Sequence, residues 1–189
     1  MDLTLYSKRL KISPLSEHDS DIAVQVWTNP EVVRFICDPL TRDEVLEEMP
    51  DSVRRAANGA IGIWVISDET SGQKIGSCYL LPMPTTEDDV DYSALDMEVM
   101  PDGDIEVGYF LLPVAWGKGY ATEICERLLR FAFEETPLTD LVASVHEDNK
   151  ASQYVLQKCG MHYGSHEMCW GKRTPLYRIS RQQWLAHPQ

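Results

Sequence analysis

The sequence predicts an α+β fold: a mixed sheet with helices on both faces. Three observations carry this. The run Asp104–Leu112 alternates Ile105, Val107, Tyr109 and Leu111 with Glu106, Gly108, Phe110 and Leu112, so both faces of a strand there are largely apolar, as in a sheet covered on both sides. Ala121, Ile124, Cys125, Leu128, Leu129 and Ala132 then recur at three- and four-residue steps, a single apolar stripe on a helix, with Glu123, Glu126, Arg127, Arg130 and Glu134 off it. The remaining segments order themselves as a strand, two to three helices and a hairpin before this pair, and a strand, a helix and a hairpin after it.

The elements follow from local signals. Arg9–Ile12 reads as a strand that Pro14 ends, and Ser16 with Asp19 starts a helix running to Trp27. Asn29-Pro30 opens a short second helix over Glu31–Ile36. Thr41 and Glu44 form a capping box for a third, which Pro50 should end or kink. Ile61–Ile66 and Gln73–Leu81 flank the turn Asp68–Gly72 as a hairpin. Pro82–Gly103 carries Glu87, Asp88, Asp89, Asp91, Asp96, Glu98 and Asp102 with no lysine or arginine. It reads as an acidic insertion, either solvated or a lid for a positive acceptor, with room for a short strand at Ser93–Met100. Thr136-Pro137 stops the central helix and Leu141–Val145 is a strand. Asn149 caps a helix over Lys150–Cys159 that Gly160 closes. His162–Trp170 and Leu176–Ile179 make a second hairpin around Gly171, and Ser180 with Gln183 caps a final helix.

At 189 residues the chain is expected to be one domain with its own core. No apolar run approaches the roughly 20 residues of a membrane helix. The first residues lack a leader's apolar core, so cytoplasmic residence is the expectation. Five cysteines without a C-x-x-C spacing point to reduced core thiols. A formal net charge of −13 disfavours a nucleic-acid surface and suits a cationic partner.

Between the central strand and helix lies Trp116-Gly117-Lys118-Gly119-Tyr120-Ala121. Glycines beside unpaired first-turn N–H groups let the main chain approach and hold a phosphate. A P-loop is excluded because Lys118 is followed by Gly119, not Ser or Thr. A dinucleotide fingerprint fits poorly because Thr122 stands where its third glycine would be. The stretch from Val114 to Gly119 resembles motif A of the GNAT acyltransferases, [QR]-x-x-G-x-[GA], departing at Val114. The string Trp116–Glu123 is similar to the Rim-type branch that acetylates ribosomal-protein N-termini, as are Arg9-Leu10 and Asn29–Ile36.

The resemblance implies a mostly antiparallel sheet whose central strands, Asp104–Leu112 and Leu141–His146, splay apart to admit the thioester of acetyl-CoA. It implies that the amides of Trp116, Gly117, Lys118, Gly119, Tyr120 and Ala121 hold the pyrophosphate, with Lys118 adding charge. It implies also that Phe110, Leu111 and Leu112 pair with the pantetheine arm. Asn149-x-x-Ser152 matches the family's Asn-x-x-[AS], so Asn149 would touch that arm or cap its helix. Many members carry a tyrosine acid seven residues after this asparagine. Leu156 stands there, and Tyr154 lies about 200° around the helix from it. Ser152 therefore becomes the candidate acid that protonates the thiolate. Glu106, flanked by Ile105 and Val107, is the candidate base, its pKa open to elevation by burial; His146 is a weaker rival.

No metal is expected, because His162 and His166 share a strand face that Cys169 does not. The reading is thus an acetyl-CoA-dependent N-acetyltransferase in which a primary amine attacks directly. The acceptor is a protein N-terminus or a small cationic amine, and the alternative is a non-catalytic CoA-binding module of the same fold. Nucleic acid and membrane are not expected partners, and monomer and homodimer both stay open.

Overall fold

The computed structural model describes residues 3–83, 91–169 and 172–186. Eight strands form one sheet in the order β1-β2-β3-β4-β5-β6-β8-β7. In chain order these are β1 (Leu5–Tyr6), β2 (Leu10–Pro14), β3 (Gly62–Asp68), β4 (Lys74–Pro82), β5 (Ile105–Leu111), β6 (Asp140–Ser144), β7 (His162–Cys169) and β8 (Lys172–Ser180). The helices are α1 (Ser20–Trp27), α2 (Pro30–Val33), α3 (Arg42–Ser52), α4 (Tyr120–Arg130), α5 (Lys150–Lys158) and α6 (Arg181–Ala186). The β5–β6 pair is parallel and the other neighbours are antiparallel, which is the mixed α+β sheet expected. Among the described residues no helix is long and apolar enough to cross a membrane.

The alternation along β5 sorts the two faces. Phe110 and Leu112 pack with Ile22, Val26 and Met49 of α1 and α3. Val107 and Leu111 pack on the other face with Leu128 and Leu129 of α4, Leu156 of α5 and Trp64 of β3. Each fully buried leucine contributes about 1.5–3 kcal/mol relative to exposure, so α4 is held by its stripe more than by helix propensity.

The caps read from the sequence are made. Glu44 accepts from the Thr41 N–H at 2.7 Å while Thr41 accepts from the Glu44 N–H, and Gln183 accepts from the Ser180 N–H at 2.8 Å. Pro50 does not end α3, which runs on to Ser52. So close to a C-terminus a proline removes a single intrahelical bond and nothing downstream depends on it.

The strand expected within Ser93–Met100 is absent. A short 3-10 turn at Tyr92–Ala94 stands there, capped by Asp91, which accepts from the Ser93 N–H. The backbone carbonyls of Met97 and Val99 accept from Asn58 and Ala57, so this segment docks on the chain after α3 instead of joining the sheet. Glu87, Asp88 and Asp89, the centre of the acidic insertion, lie outside the described residues, as does Gly171.

β5 is paired unevenly. β4 accompanies it from Gly76↔Leu111 to Pro82↔Ile105. β6 meets it at Glu106↔Val142, then follows β8 to Ser144↔Leu176. From Val107 onward, among the described residues, no strand pairs with the β6-side edge of β5, the splay the resemblance implied.

Trp64 ties the core together. It is fully buried, donates to the Leu3 carbonyl at 2.9 Å, and lies between the Arg55 guanidinium at 4.0 Å and the Phe131 ring at 5.7 Å. Trp64→Ala should cost about 3–5 kcal/mol in a urea unfolding titration, through the cavity and the orphaned carbonyl.

Candidate active site

The turn leaving β5 is fixed by its own residues. The Trp116 indole N–H donates to the Leu111 carbonyl at 2.7 Å. Gly117 and Gly119 take left-handed φ angles of 70° and 78°, which a side chain there would strain. A Cβ on Gly117 would meet nothing within 4 Å, so the glycine is needed for backbone direction and not for room inside the protein. Gly119 is the N-cap of α4 and no side chain caps the helix. The first-turn N–H groups of α4 are therefore free of a capping side chain, and the partial positive charge there is open to an anion.

A network reaching across the chain braces this turn. Arg9 donates through Nη1 to the Lys118 carbonyl at 3.0 Å, and through Nε to Glu123 Oε2 at 2.8 Å. Glu123 Oε1 accepts from the Ser7 hydroxyl and from the Arg9 N–H, both at 2.7 Å. The Arg9 guanidinium also lies 4.4 Å from the Tyr120 ring centroid, and the Tyr120 hydroxyl donates to Asp68 at 3.0 Å. The Tyr120 side chain is thus engaged in the fold, leaving its main chain to face a ligand. The Lys118 side chain is exposed. Burial works to raise the Glu123 carboxyl, but hydrogen bonds from Ser7 and Arg9, with the Arg9 charge, outweigh it and hold it below its ordinary 4.5.

A cavity of about 370 Å³ opens where β5 and β6 part. It brings together Glu106, Tyr109, Phe110, His146, Asn149 and Ser152, but not the glycine turn, Leu111 or Leu112. At about 3.3 Å per residue, Glu106 and Leu111 are some 17 Å apart along β5. The turn and the cavity therefore lie at opposite ends of the open strand edge.

Glu106 is 3% exposed. Its Oε1 accepts from the Ser144 N–H at 2.8 Å and its Oε2 from the Tyr79 hydroxyl at 3.2 Å. Ser144 in turn shares a 2.8 Å hydroxyl contact with Thr174. Asn149 caps α5, accepting from the Ser152 N–H at 3.2 Å. The Ser152 hydroxyl lies 3.1 Å from the Tyr109 hydroxyl. Burial pushes the Tyr109 phenol well up, Cys125 adds to this, and Ser152 partly counters it, so Tyr109 stays protonated. His146 lines the cavity under the Phe35 ring, centroids 5.3 Å apart, and its Nδ1 accepts from the Asp148 N–H. Leu156 is buried and lines the cavity, whereas Tyr154 is exposed and is not among the lining residues.

A glycine turn at an open helix end, joined by an unpaired strand edge to a buried carboxylate, is an arrangement for holding an anionic carrier and working at its far end. A family model for an acetyltransferase (GNAT) domain matches residues 9–162. The chain belongs to the GNAT acetyltransferase family. It is an acetyl-CoA-dependent N-acetyltransferase. It is 28% identical to the FsC-acetyl coenzyme A-N(2)-transacetylase of Aspergillus fumigatus, over 96% of this chain and 78% of that protein. Its fold matches the spermidine N-acetyltransferase of Vibrio cholerae in complex with CoA and spermine, with a TM-score of 0.70 at 18% identity, covering 94% of this chain and 98% of that one. It also matches an aminoglycoside acetyltransferase in complex with coenzyme A, with a TM-score of 0.72 at 16% identity, covering 94% and 98% of the two chains.

Several groups in this acetyltransferase were not singled out from its sequence as parts of the site. Tyr109 looked like one more alternating strand residue, and Tyr79 and Ser144 are partners of Glu106 only through strand pairing. The register Tyr79↔Gly108 carried the available signal, a large ring opposite a residue without a side chain.

Arg9→Ala should raise the KM for acetyl-CoA about 5–10-fold with kcat nearly unchanged in steady-state assays, because the turn loses its brace and not its donors. The Glu123 contribution to stability is complete above pH 4.5 and is lost as pH falls through its lower folded-state value. Glu123→Gln should therefore show a shallower stability loss below pH 4.5 than the parent in denaturant titrations.

Proposed function

We propose that the enzyme transfers acetyl from acetyl-CoA directly to a primary amine, with Glu106 as general base and Ser152 as general acid. The observation that carries this is a single cavity holding a buried, two-point-anchored carboxylate on one side and a serine hydroxyl backed by a phenol on the other. Glu106 takes the proton of the ammonium, directly or through a water. The amine nitrogen then attacks the thioester carbonyl, and N–H groups on the open edge of β5 meet the charge that develops on its oxygen. As the C–S bond breaks, Ser152 gives its proton to the sulfur, and the second proton lost by the attacking nitrogen passes through water to restore the Ser152 hydroxyl, which Tyr109 holds by its hydrogen bond. Asn149 sets the first turn of α5, which places Ser152.

The amides from Trp116 to Ala121 hold the pyrophosphate, with Lys118 and the uncapped end of α4 supplying positive potential. The open edge of β5 that leads to Phe110, Leu111 and Leu112 offers main-chain groups to the pantetheine arm. These residues fit the carrier because, among the described residues, no side chain caps α4 and β6 pairs with β5 at Glu106 and not beyond it.

Two acceptors present the required amine. The Trp116–Glu123 string, with its likeness to the Rim-type branch, supports a protein N-terminus. The spermidine acetyltransferase of the same fold supports a small cationic amine. The modest cavity volume favours the small amine, since ligand pockets span about 300–1,000 Å³ and this one must also admit the acetyl end.

Free-thiol release with acetyl-CoA and a panel of primary amines tests the reading. Glu106→Gln, which keeps an oxygen for the Ser144 N–H, should lower kcat/KM about 10²–10³-fold. Ser152→Ala should lower kcat about tenfold with little change in KM. Tight acetyl-CoA binding without thiol release on any amine would instead mark a carrier-binding module.

A further inference from the structure

We infer that the acceptor is a monoamine carried on an apolar body the size of an aromatic ring, selected by a wall of Trp27, Tyr79 and Phe110. This rests on the reading above that the Glu106 cavity is the acceptor site.

The wall is continuous. Glu106, Gly108 and Phe110 alternate onto one face of β5. Tyr79 sits opposite Gly108, and its ring fills the place a side chain there would need: a Cβ on Gly108 would lie 2.1 Å from Tyr79. The Tyr79 and Phe110 centroids are 5.9 Å apart. Trp27, at the end of α1, carries the surface onward, 4.9 Å from Phe110. One end of this surface is the Glu106 carboxylate, touched by the Tyr79 hydroxyl. All four side chains line the cavity.

Such a wall selects by what it lacks as well as by what it offers. An ammonium at Glu106 is held by charge and by the faces of the neighbouring rings. Its carbon body then lies against aromatic surface and gains by leaving water. Among the described residues lining the cavity, Glu48 on α3 is the second carboxylate, and it is solvent-exposed. A polyamine would put further ammonium groups against the rings without a buried counter-charge. An aminoglycoside would put hydroxyls there, and a peptide its amides. Each of these polar groups costs free energy when buried without a partner.

The test is thiol release from acetyl-CoA with phenethylamine and hexylamine against spermidine, kanamycin and a short Ser-initiated peptide. Phenethylamine should have the highest kcat/KM, at least about tenfold above spermidine. Trp27→Leu should raise the phenethylamine KM about tenfold while the KM for acetyl-CoA stays within about twofold, which also shows that the variant is folded. Trp27→Glu should narrow the gap between spermidine and phenethylamine by adding a carboxylate to the aromatic wall. Faster turnover of spermidine, kanamycin or the peptide than of phenethylamine would overturn this inference and leave the acetyl transfer standing. Acetyl-CoA binding with no thiol release on any amine would overturn both.

Discussion

The site depends on two parallel strands that meet at one position and then separate. Val142 is opposite Glu106, and two residues later the Ser144 N–H has no strand carbonyl to receive it from the β5 side. The Glu106 carboxylate takes that place. A ladder bond is thus replaced by a bond to a side chain, which satisfies a backbone donor that would otherwise cost about 1–3 kcal/mol if buried unpaired. The same substitution places a carboxylate in the mouth of the gap. The structural role of Glu106 and the chemical role proposed for it are consequences of one geometry, and a cavity at this point needs no separate device to create it.

The other end of the site depends on distance in sequence. Gly117 and Gly119 direct the chain, and the Lys118 carbonyl between them is held by Arg9, itself held by Glu123, 114 positions away in sequence. A guanidinium that bonds a loop carbonyl turns the neighbouring amides outward. On the proposed reading, this allows a chain of net charge −13 to hold an anionic carrier. Over a few ångströms, oriented N–H groups and one or two cations outweigh a diffuse negative charge that salt screens within about 10 Å.

Between these ends the aromatic wall, proposed above to select the acceptor, is also part of the packing. Gly108 admits the Tyr79 ring, Tyr79 reaches Glu106, and Phe110 carries the surface to Trp27. The rings complete the core between sheet and α1, so the surface offered to an acceptor is rigid before anything binds.

Much of this was legible in the chain itself. Period-two and period-3.6 apolar patterns gave the central strand and α4, because side-chain direction follows from local backbone geometry. Thr41 with Glu44, Asn149 with Ser152, and Ser180 with Gln183 announced helix starts, because a cap needs only residues within one turn. The glycine turn announced itself because positive φ is a local demand. The tertiary structure alone decided that Ser93–Met100 would dock on residues 57–58 and not pair as a strand. It alone brought Tyr109 to Ser152, Tyr79 and Ser144 to Glu106, and Arg9 to the Lys118 carbonyl. Those contacts join residues 27 to 109 positions apart, and no local pattern encodes which distant group a buried hydrogen-bonding atom will meet.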